Sequence, residues 1–239
     1  MVRREIEDAD REELSVSVVI PVFNEELTVG GIVARTRSTL EQVKLSYEVL
    51  VIDDGSVDRS AEISQASGAS VLREPHQGKG CALRFGFRRA SGDVIITLDA
   101  DGSHQPEEIP LVLRGVVESK ADFVVGSRFF SADANVQVPN VNRIGNRLFS
   151  SLVRLLTSVK ITDSQSGFRA IRSSLLRKMR LKSRGYEVES EMLVKALKMG
   201  ARVTEIPISF EQRTTGKSKL DPLRDGARIL YSLIASYLF

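Results

Sequence analysis

Two carboxylates stand together in the sequence where a largely apolar run, residues 94–98, comes to an end. Asp99-Ala100-Asp101 follows that run directly. Alternate side chains of an extended chain point to one side, so the two carboxylates are expected to converge at the end of a strand. Paired acidic oxygens suit Mg²⁺ or Mn²⁺, and an ion with few protein ligands keeps positions open for substrate phosphates. Asp and Gly also favour turns, so a metal site and a simple turn both stay open here.

The surrounding sequence predicts the elements that position these carboxylates. Apolar strands are predicted at residues 16–23, 47–53, 69–72, 94–98 and 122–126, with helical spacing between them. Continuous apolar strands separated by helices indicate an α/β fold with a mostly parallel central sheet flanked by helices. Ligands bind such sheets beyond the carboxyl ends of the strands. Three acidic clusters fall at those ends, namely Asn24-Glu25, Asp53-Asp54 and Asp99–Asp101, and this coincidence favours a binding site over unrelated turns.

The composition limits the possible function classes. The chain has 239 residues, of which 42% are hydrophobic and 27% charged, which suits one large α/β domain. A net charge of +3 gives no argument for nucleic acid. The single cysteine, Cys81, excludes an intramolecular disulfide and is compatible with a reducing compartment. The first strand is not followed by Gly-x-Gly-x-x-Gly, and a Walker lysine motif is missing, which disfavours dinucleotide and P-loop chemistry.

The two ends of the chain are predicted to lie outside the main domain, which spans residues 15–220. Residues 1–14 are a charged lead-in without the apolar segment of a signal peptide. Residues 221–239 predict an apolar C-terminal helix, whose strongly apolar part, 227–239, is shorter than the ~18 residues that a membrane span needs. It is a core helix, an anchor on the membrane surface, or the start of a span.

A second candidate for membrane contact follows a predicted polar loop at residues 128–142. The next residues predict an amphipathic helix with apolar positions on one face, Ile144, Leu148, Leu152, Leu155 and Val159, and Arg143, Arg147 and Arg154 on the other. Such a helix lies on a membrane, binds an anionic ligand, or is an ordinary surface helix.

Six ordered segments together resemble glycosyltransferase family 2, and most of all its dolichyl-phosphate mannose synthase type of polyprenyl-phosphate glycosyltransferase. They are VVIPVFNEE (18–26), VLVIDDGSVD (49–58), HQGKGCALRFGF (76–87), TLDADGSHQP (97–106), DSQSGFRA (163–170) and EIPISFEQRTTGKSKL (205–220). The resemblance implies a GT-A fold with a Rossmann-like nucleotide-binding half and an acceptor-side half.

The resemblance also implies which residues bind a nucleotide sugar. Asp99 and Asp101 would hold Mg²⁺ or Mn²⁺ against the donor diphosphate. Pro21, Asn24 and Glu25 would approach the nucleoside, and Asp53 would accept a hydrogen bond from the base. The other donor-binding positions are Lys79, Ala100, Arg213 and Lys219; Lys79 is expected near the diphosphate or ribose, and Arg213 and Lys219 are expected to close on the diphosphate from a glycine-containing loop.

The implied acceptor is a polyprenyl or dolichyl phosphate. Its phosphate is already anionic, so the site needs arginines rather than a general base. Arg128 and Arg143 are the matching positions, with Asn142 or Arg147 assisting. The resemblance assigns Asp163, Gln165, Ser166, Glu189 and Glu191 to the sugar and acceptor pocket, with Asp163 a weak candidate for a base. His104 is expected to be exposed to solvent.

The expected function is inverting transfer of a hexose, with GDP-mannose the first choice of donor, at the cytoplasmic face of a membrane. The enzyme would be peripheral or tail-anchored, through a partner subunit or a transmembrane segment outside this sequence. Three alternatives stay open: a family 2 transferase that uses UDP-glucose or a UDP-N-acetylhexosamine, a non-catalytic module that binds nucleotides or membranes, and a nucleotidyltransferase. Nucleic acid is not an expected partner.

Overall fold

The computed structural model of the protein describes residues 14–130, 140–213, 219 and 221–239. Within these ranges the strands are β1 (Ser15–Val22), β2 (Ser46–Asp53), β3 (Ser70–Arg73), β4 (Val94–Thr97), β5 (Phe123–Ser127), β6 (Arg169–Arg172) and β7 (Val203–Pro207). The helices are α1 (Val29–Val43), α2 (Ser60–Ala66), α3 (Lys79–Arg89), α4 (Ile109–Val117), α5 (Asn140–Thr157), α6 (Ser173–Leu176), α7 (Val188–Lys198) and α8 (Pro222–Leu238). The predicted lead-in and most of the predicted 128–142 loop lie outside the described residues.

The strands form one sheet in the order β3-β2-β1-β4-β6-β5-β7. The pairs β2–β3, β1–β2, β1–β4 and β5–β7 are parallel, whereas β6 runs antiparallel to both of its neighbours. The mostly parallel sheet is therefore confirmed. The sequence analysis did not predict β6, because four residues with the pattern Arg-Ala-Ile-Arg carry little strand signal of their own.

Helices cover both faces of the sheet, as the continuous apolar strands require. Successive residues of β1 point to opposite faces: Val18 and Ile20 pack with α1 and α4, while Val19 packs with α3 and α7. Because β1 lies between β2 and β4, the carboxyl ends of these three strands are neighbours. The fold thereby brings the three acidic clusters to one edge of the sheet.

Helix α5 buries a different face from the one that its apolar pattern suggests. Asn146, Phe149, Ser150 and Val153 are buried. The apolar side chains of Ile144, Leu148 and Leu155 are 70%, 62% and 79% exposed, respectively. Helix α5 therefore lies on the surface, and its core contact is made by a different side of the helix from the apolar face that the sequence predicts.

Helix α8 packs on α5 and α7 through Ile229 and Leu233. It also leaves large apolar side chains exposed, among them Leu223, Tyr231, Leu238 and Phe239, the residue after its end. Within the described ranges, the helices fall short of the length and hydropathy that crossing a bilayer requires.

Candidate active site

A cavity of about 1720 Å³ opens at the carboxyl ends of β1, β2 and β4. Most of the residues predicted to bind a nucleotide sugar line it: Pro21, Glu25, Lys79, Ala100, Asp99, Asp101, Arg213 and Lys219. These residues come from four of the six segments that carry the family resemblance. The fold thus brings the predicted donor-binding carboxylates and cations to one cavity.

Lys79 connects the first carboxylate of the Asp-x-Asp pair to helix α7. Its Nζ lies 2.6 Å from Oδ1 of Asp99 and 2.8 Å from Oε1 of Glu189. Burial opposes the charged ammonium, yet the two carboxylates raise the pKa of Lys79 well above its usual value. Burial also opposes the charge on Asp99, but Lys79 outweighs it and the pKa of Asp99 is lowered. Both groups are therefore charged at neutral pH.

Gly167 provides the space in which the Asp99 carboxylate lies. A Cβ atom at position 167 would be 2.3 Å from Oδ2 of Asp99, which is far too close for two nonbonded atoms. The hydroxyl of Thr97 at the end of β4 donates to the carbonyl of Gly167 at 2.6 Å. The acceptor-side motif and the Asp-x-Asp strand end therefore pack directly on each other.

Asp101 and Glu25 face the cations that follow β7. Oδ1 of Asp101 accepts hydrogen bonds from the amide and hydroxyl of Ser103, and Oδ2 lies 3.9 Å from Arg213. Arg213 Nη2 lies 2.5 Å from Glu25, and Lys219 Nζ lies 3.1 Å from the other oxygen of the same carboxylate. Glu25 thus holds two cations beside the second carboxylate of the pair.

The donor set fits a divalent cation bound through few protein ligands. The described residues contain no cluster of three or more His, Cys, Asp or Glu side chains arranged to hold a metal ion. Asp99 and Asp101 offer hard carboxylate oxygens, which Mg²⁺ and Mn²⁺ prefer. A pair of such ligands, rather than a full protein cage, suits an ion that also binds substrate phosphates.

On the nucleoside side of the cavity, the Asp53 carboxylate has partners within the protein. Asp53 is 2% exposed, and its carboxylate accepts from the Ser56 amide and pairs with Arg73 at 3.4 Å. Asp53 is not among the residues that line the cavity, and its assignment to the base stays a prediction. Asn24 also lies beside the cavity, where its side chain accepts from the Val57 amide.

Asp54 shapes the loop that covers this part of the cavity. Its carboxylate accepts from the amides of Gln77 and Gly78 and lies 2.7 Å from Nδ1 of His76. The His76 ring stacks on Phe23, with ring centroids 4.1 Å apart, and both rings line the cavity. The sequence analysis missed this aromatic pair, because its members are distant in sequence.

The Gly78-Lys79-Gly80 loop is packed against the backbone before α7. The Gly80 amide donates to the carbonyl of Arg184 at 2.8 Å. A Cβ atom at Gly78 would lie 2.5 Å from that carbonyl oxygen, and one at Gly80 would lie 2.6 Å from the carbonyl oxygen of Ser183. Glycine is therefore needed at both positions for the close approach that places Lys79.

On the acceptor side, Arg128 and Asp163 form a buried ion pair. Nε and Nη2 of Arg128 lie 2.7 and 2.9 Å from the two carboxylate oxygens of Asp163, which is fully buried. Burial works against the carboxylate, but Arg128 lowers the pKa of Asp163 below its usual value. Both carboxylate oxygens of Asp163 thus accept from Arg128, and the weak assignment of Asp163 as a base stays a prediction.

Arg169 is a buried cation that the sequence analysis missed. It is 1% exposed, and its guanidinium donates to the backbone carbonyls of Ser164, Ser166 and Glu189. Burial lowers the pKa of Arg169 to about 10. Gln165, next to these carbonyls, donates to the hydroxyl of Ser190 at 2.7 Å. Arg169 and Gln165 thus join the acceptor-side motif to α7, and Ser166 is itself fully buried.

The remaining acceptor-side predictions have different outcomes. Asn142, Arg143 and Arg147 lie on exposed positions of α5 and do not line the cavity, and neither does Arg128. Glu191 lines the cavity and accepts from the amides of Lys182 and Ser183, each at 2.8 Å, which anchors the backbone before α7. Its assignment to the sugar pocket stays a prediction.

His104 is buried, so the expectation of a solvent-exposed histidine was wrong. Its side chain is 2% exposed and its ring lies against the rings of Phe168 and Phe210. Burial is the main cause that lowers the pKa of His104, which therefore favours the neutral imidazole. The apolar contacts come from segments that are far away in sequence.

A mostly parallel sheet with carboxylates at its strand ends, facing lysine and arginine side chains, is the arrangement of the GT-A fold. The chain belongs to glycosyl transferase family 2, whose sequence pattern matches residues 17–180. It is therefore a glycosyltransferase.

Known proteins agree with this assignment. The chain is 32% identical to undecaprenyl-phosphate mannosyltransferase of Micrococcus luteus, over 87% of this chain and 88% of that protein. It is 30% identical to dolichol-phosphate mannosyltransferase of Pyrococcus furiosus, over 87% of this chain and 59% of that one. The crystal structure of Mycobacterium tuberculosis glucosyl-3-phosphoglycerate synthase with Mn²⁺, UDP and phosphoglyceric acid has a TM-score of 0.75 at 20% identity, covers 94% of this chain and 78% of that one, and shows the same fold.

Proposed function

We propose that the protein transfers a hexose from a nucleotide sugar to a polyprenyl phosphate such as dolichyl phosphate. The observation that carries this proposal is the single cavity in which Asp99 and Asp101 face Lys79, Arg213 and Lys219. The names of the Micrococcus and Pyrococcus relatives support a polyprenyl-phosphate acceptor and make GDP-mannose the first choice of donor.

The donor diphosphate lies between the carboxylate pair and the cations. Asp99 and Asp101 would hold Mg²⁺ or Mn²⁺, and the bound ion would supply positive charge to the departing nucleoside diphosphate. The complex of the mycobacterial structural neighbour with Mn²⁺ and UDP supports this choice. Arg213 and Lys219 add positive charge from the side of Glu25, and Lys79 orients Asp99.

The acceptor phosphate attacks without a general base. A phosphate oxygen forms a bond to the anomeric carbon, while the bond from that carbon to the diphosphate breaks and its electron pair leaves with the diphosphate. Attack from the opposite face inverts the configuration, and no proton is transferred. The ionised, buried state of Asp163 is compatible with this reaction, because nothing must be deprotonated.

Arginines supply the charge that brings two anionic reactants together. Arg128 binds Asp163 through its Nε and Nη2 atoms. The remaining nitrogen of the guanidinium group, Nη1, takes part in neither bond, and we assign it to an oxygen of the acceptor phosphate. Arg143 at the start of α5, assisted by Asn142 or Arg147, binds the same phosphate group. Guanidinium groups suit this role because they match phosphate geometry and keep their charge.

The acceptor places the enzyme at a membrane surface, with the cytoplasmic face as the expected side. The exposed apolar side chains of α5, such as Ile144 and Leu148, and of α8 support contact with lipid. We also propose that the enzyme is held at the membrane by an anchoring subunit or by a transmembrane segment outside this sequence.

A second donor class has its own support. The mycobacterial structural neighbour was crystallised with UDP, which favours UDP-glucose or a UDP-N-acetylhexosamine as the alternative. The experiment therefore incubates the protein and Mg²⁺ or Mn²⁺ with a panel of GDP- and UDP-sugars and a polyprenyl phosphate, and measures the mass of the lipid.

The expected result is a lipid heavier by one hexose, with GDP-mannose the best donor. Asp101→Asn is the matched control and should form no product. Transfer from a UDP-sugar would replace the donor assignment. Absence of lipid product with every donor, while the protein still binds nucleotide or membranes, would favour a non-catalytic module.

A further inference from the structure

A cluster of basic residues to which the proposed reaction gives no role lies between α6 and α7 and lines the same cavity. Residues 177–184 read Arg-Lys-Met-Arg-Leu-Lys-Ser-Arg. The alternate side chains of Met179 and Ser183 are buried, and Leu181 packs on the core. The basic side chains between them are all exposed, namely Lys178, Arg180, Lys182 and Arg184. We call residues 178–184 the basic segment, because its exposed positions are all cationic.

Side chains from two helices hold the backbone of the basic segment in place. Glu191 of α7 accepts from the amides of Lys182 and Ser183. Lys195 of α7 donates to the carbonyl of Arg180, and Arg84 of α3 donates to that of Leu181. A preorganised backbone presents its cations without the entropic cost of ordering a loop on binding.

Nearby carboxylates are used within the protein and do not neutralise this segment. Glu191 pairs with Lys195 at 2.6 Å, and Glu187 accepts from the amides of Arg184 and Gly185. Asp225 of α8 accepts from the Asp221 amide and lies 3.8 Å from Arg228 of the same helix. Within the part of the chain that the structure describes, none of the four basic-segment cations forms an ion pair. The segment is therefore a net positive surface.

One face of α8 lines the same cavity as the basic segment. This face consists of residues at helical spacing. Two cations come first, Arg224 and Arg228, and three apolar or aromatic residues follow, Tyr231, Ala235 and Phe239. Tyr231 is 75% exposed and Phe239 is 92% exposed. Cations beside exposed apolar side chains are typical of surfaces that bind at a lipid–water interface.

We propose that the basic segment and this face of α8 bind the anionic phospholipid headgroups of a bilayer. The cations lie among the lipid phosphates while Tyr231 and Phe239 enter the apolar boundary. Exposed apolar side chains next to the cations favour a bilayer over a nucleic acid, which offers phosphates without adjoining hydrocarbon. This inference deepens the proposed function. It rests on that function in one respect, namely that the acceptor lies in a membrane.

The test is flotation of the full chain with vesicles of phosphatidylcholine alone or of phosphatidylcholine mixed with phosphatidylglycerol. The test variant replaces all four basic-segment cations, Lys178→Gln, Arg180→Gln, Lys182→Gln and Arg184→Gln. The matched control removes the same charge from exposed cations at the C-terminal ends of α1, α3 and α4, namely Lys44→Gln, Arg88→Gln, Arg89→Gln and Lys120→Gln. Those helix ends lie at the opposite edge of the parallel sheet.

The unchanged protein and the control should bind the mixed vesicles much more strongly than the neutral ones. The test variant should lose at least about 100-fold in partitioning to mixed vesicles, since each basic residue near an anionic surface contributes roughly fivefold. Added salt should weaken binding of the control in the same way. Equal binding to both vesicle types, or equal losses in test and control variants, would overturn the inference.

Two further measurements separate this inference from neighbouring explanations. Binding of a labelled single-stranded oligonucleotide, with no binding to mixed vesicles, would also overturn it. Thermal unfolding of the test variant should match that of the control, which shows that the variant is folded. Loss of vesicle binding in a folded test variant supports the inference, and vesicle binding in a protein that transfers no sugar would sink only the proposed function.

Discussion

The ammonium group of Lys79 lies 2.6 Å from Oδ1 of Asp99, the first carboxylate of the Asp-x-Asp pair. This contact joins the loop before α3 to the end of β4, and a second contact of 2.8 Å extends it to Glu189 on α7. One cation therefore balances two carboxylates at the bottom of the cavity. The position of Asp99 depends on this balance, because unpaired carboxylates at such a site repel each other.

Replacing Lys79 by Met should weaken donor binding by at least about tenfold, since a single lost charged contact costs roughly 1.5–3 kcal/mol. Without the ammonium, burial would raise the pKa of Asp99 and favour its neutral form. Calorimetric titration with GDP and Mn²⁺ measures the effect. The control is Lys195→Met, which removes a similar half-buried lysine that pairs with Glu191 instead. Equal affinities in the two variants would contradict the role of Lys79.

Gly167→Ala should abolish transfer while the protein stays folded. The added Cβ would meet Oδ2 of Asp99 at 2.3 Å and must displace that carboxylate. Gly31→Ala is the comparison, because nothing lies within 4 Å of a Cβ there and the site is exposed on α1. That change should stabilise the protein by roughly 0.5–1 kcal/mol. Activity and thermal unfolding of both variants provide the measurement, and full activity in Gly167→Ala would refute the prediction.

Asp163→Asn should lower the free energy of unfolding by about 3–5 kcal/mol at neutral pH, because it leaves Arg128 buried without its partner. The pKa of Asp163 is lower in the folded protein than in the unfolded chain. Its stabilising contribution is therefore complete above the unfolded pKa, about 4, and is lost as the pH falls through the folded pKa. Urea unfolding should show the difference between the two proteins narrowing on acidification below about pH 4. A difference that stays constant over that range would disprove the assignment.

Arg143→Ala should raise the KM for polyprenyl phosphate by at least about tenfold, in line with a charged contact to phosphate. Donor affinity should not change, because α5 does not line the donor cavity. Arg154→Ala removes an exposed arginine from the last turn of the same helix and serves as the control. If Arg143→Ala weakens donor binding as much as it slows transfer, Arg143 is not an acceptor residue.

Chelation of divalent ions should abolish both transfer and tight binding of GDP or UDP. Adding Mn²⁺ or Mg²⁺ should restore binding in the unchanged protein but not in Asp101→Asn, because the carboxylate that holds the ion is gone. Calorimetry of nucleotide binding gives a readout that does not depend on turnover. Nucleotide affinity that is unaffected by the chelator would rule out this role for the Asp-x-Asp pair.

Much of the donor site could be predicted from sequence because local patterns determine it. A run such as residues 94–98 predicts a buried strand, and the parallel arrangement places its end beside those of β1 and β2. The four-residue β6 lacked such a pattern, and its place in the sheet depends on partners far along the chain. Local periodicity also predicted the apolar stripe of α5, but it did not predict that this stripe faces away from the core. The core contact includes two polar residues, Asn146 and Ser150, which such a pattern does not reveal.

Individual side-chain roles were harder to predict where long-range contacts decide them. Asp53 and Asp54 are adjacent in sequence, yet the first is turned to Arg73 and the second to the loop at His76. Glu189 and Glu191 differ in the same way, since one meets Lys79 and the other meets the backbone at residues 182–183. The local sequence does not distinguish Asp53 from Asp54, and it does not distinguish Glu189 from Glu191.

The contact between Gly80 and the carbonyl of Arg184 constrains any redesign of this enzyme. The loop that carries Lys79 and the segment that carries Arg184 interlock through bare backbone, with room for no side chain at positions 78 or 80. A transplant of the loop alone, from a relative with a different nucleotide preference, would leave the two surfaces mismatched. Donor exchange by grafting therefore requires residues 76–80 and 183–185 to be moved together as one cassette.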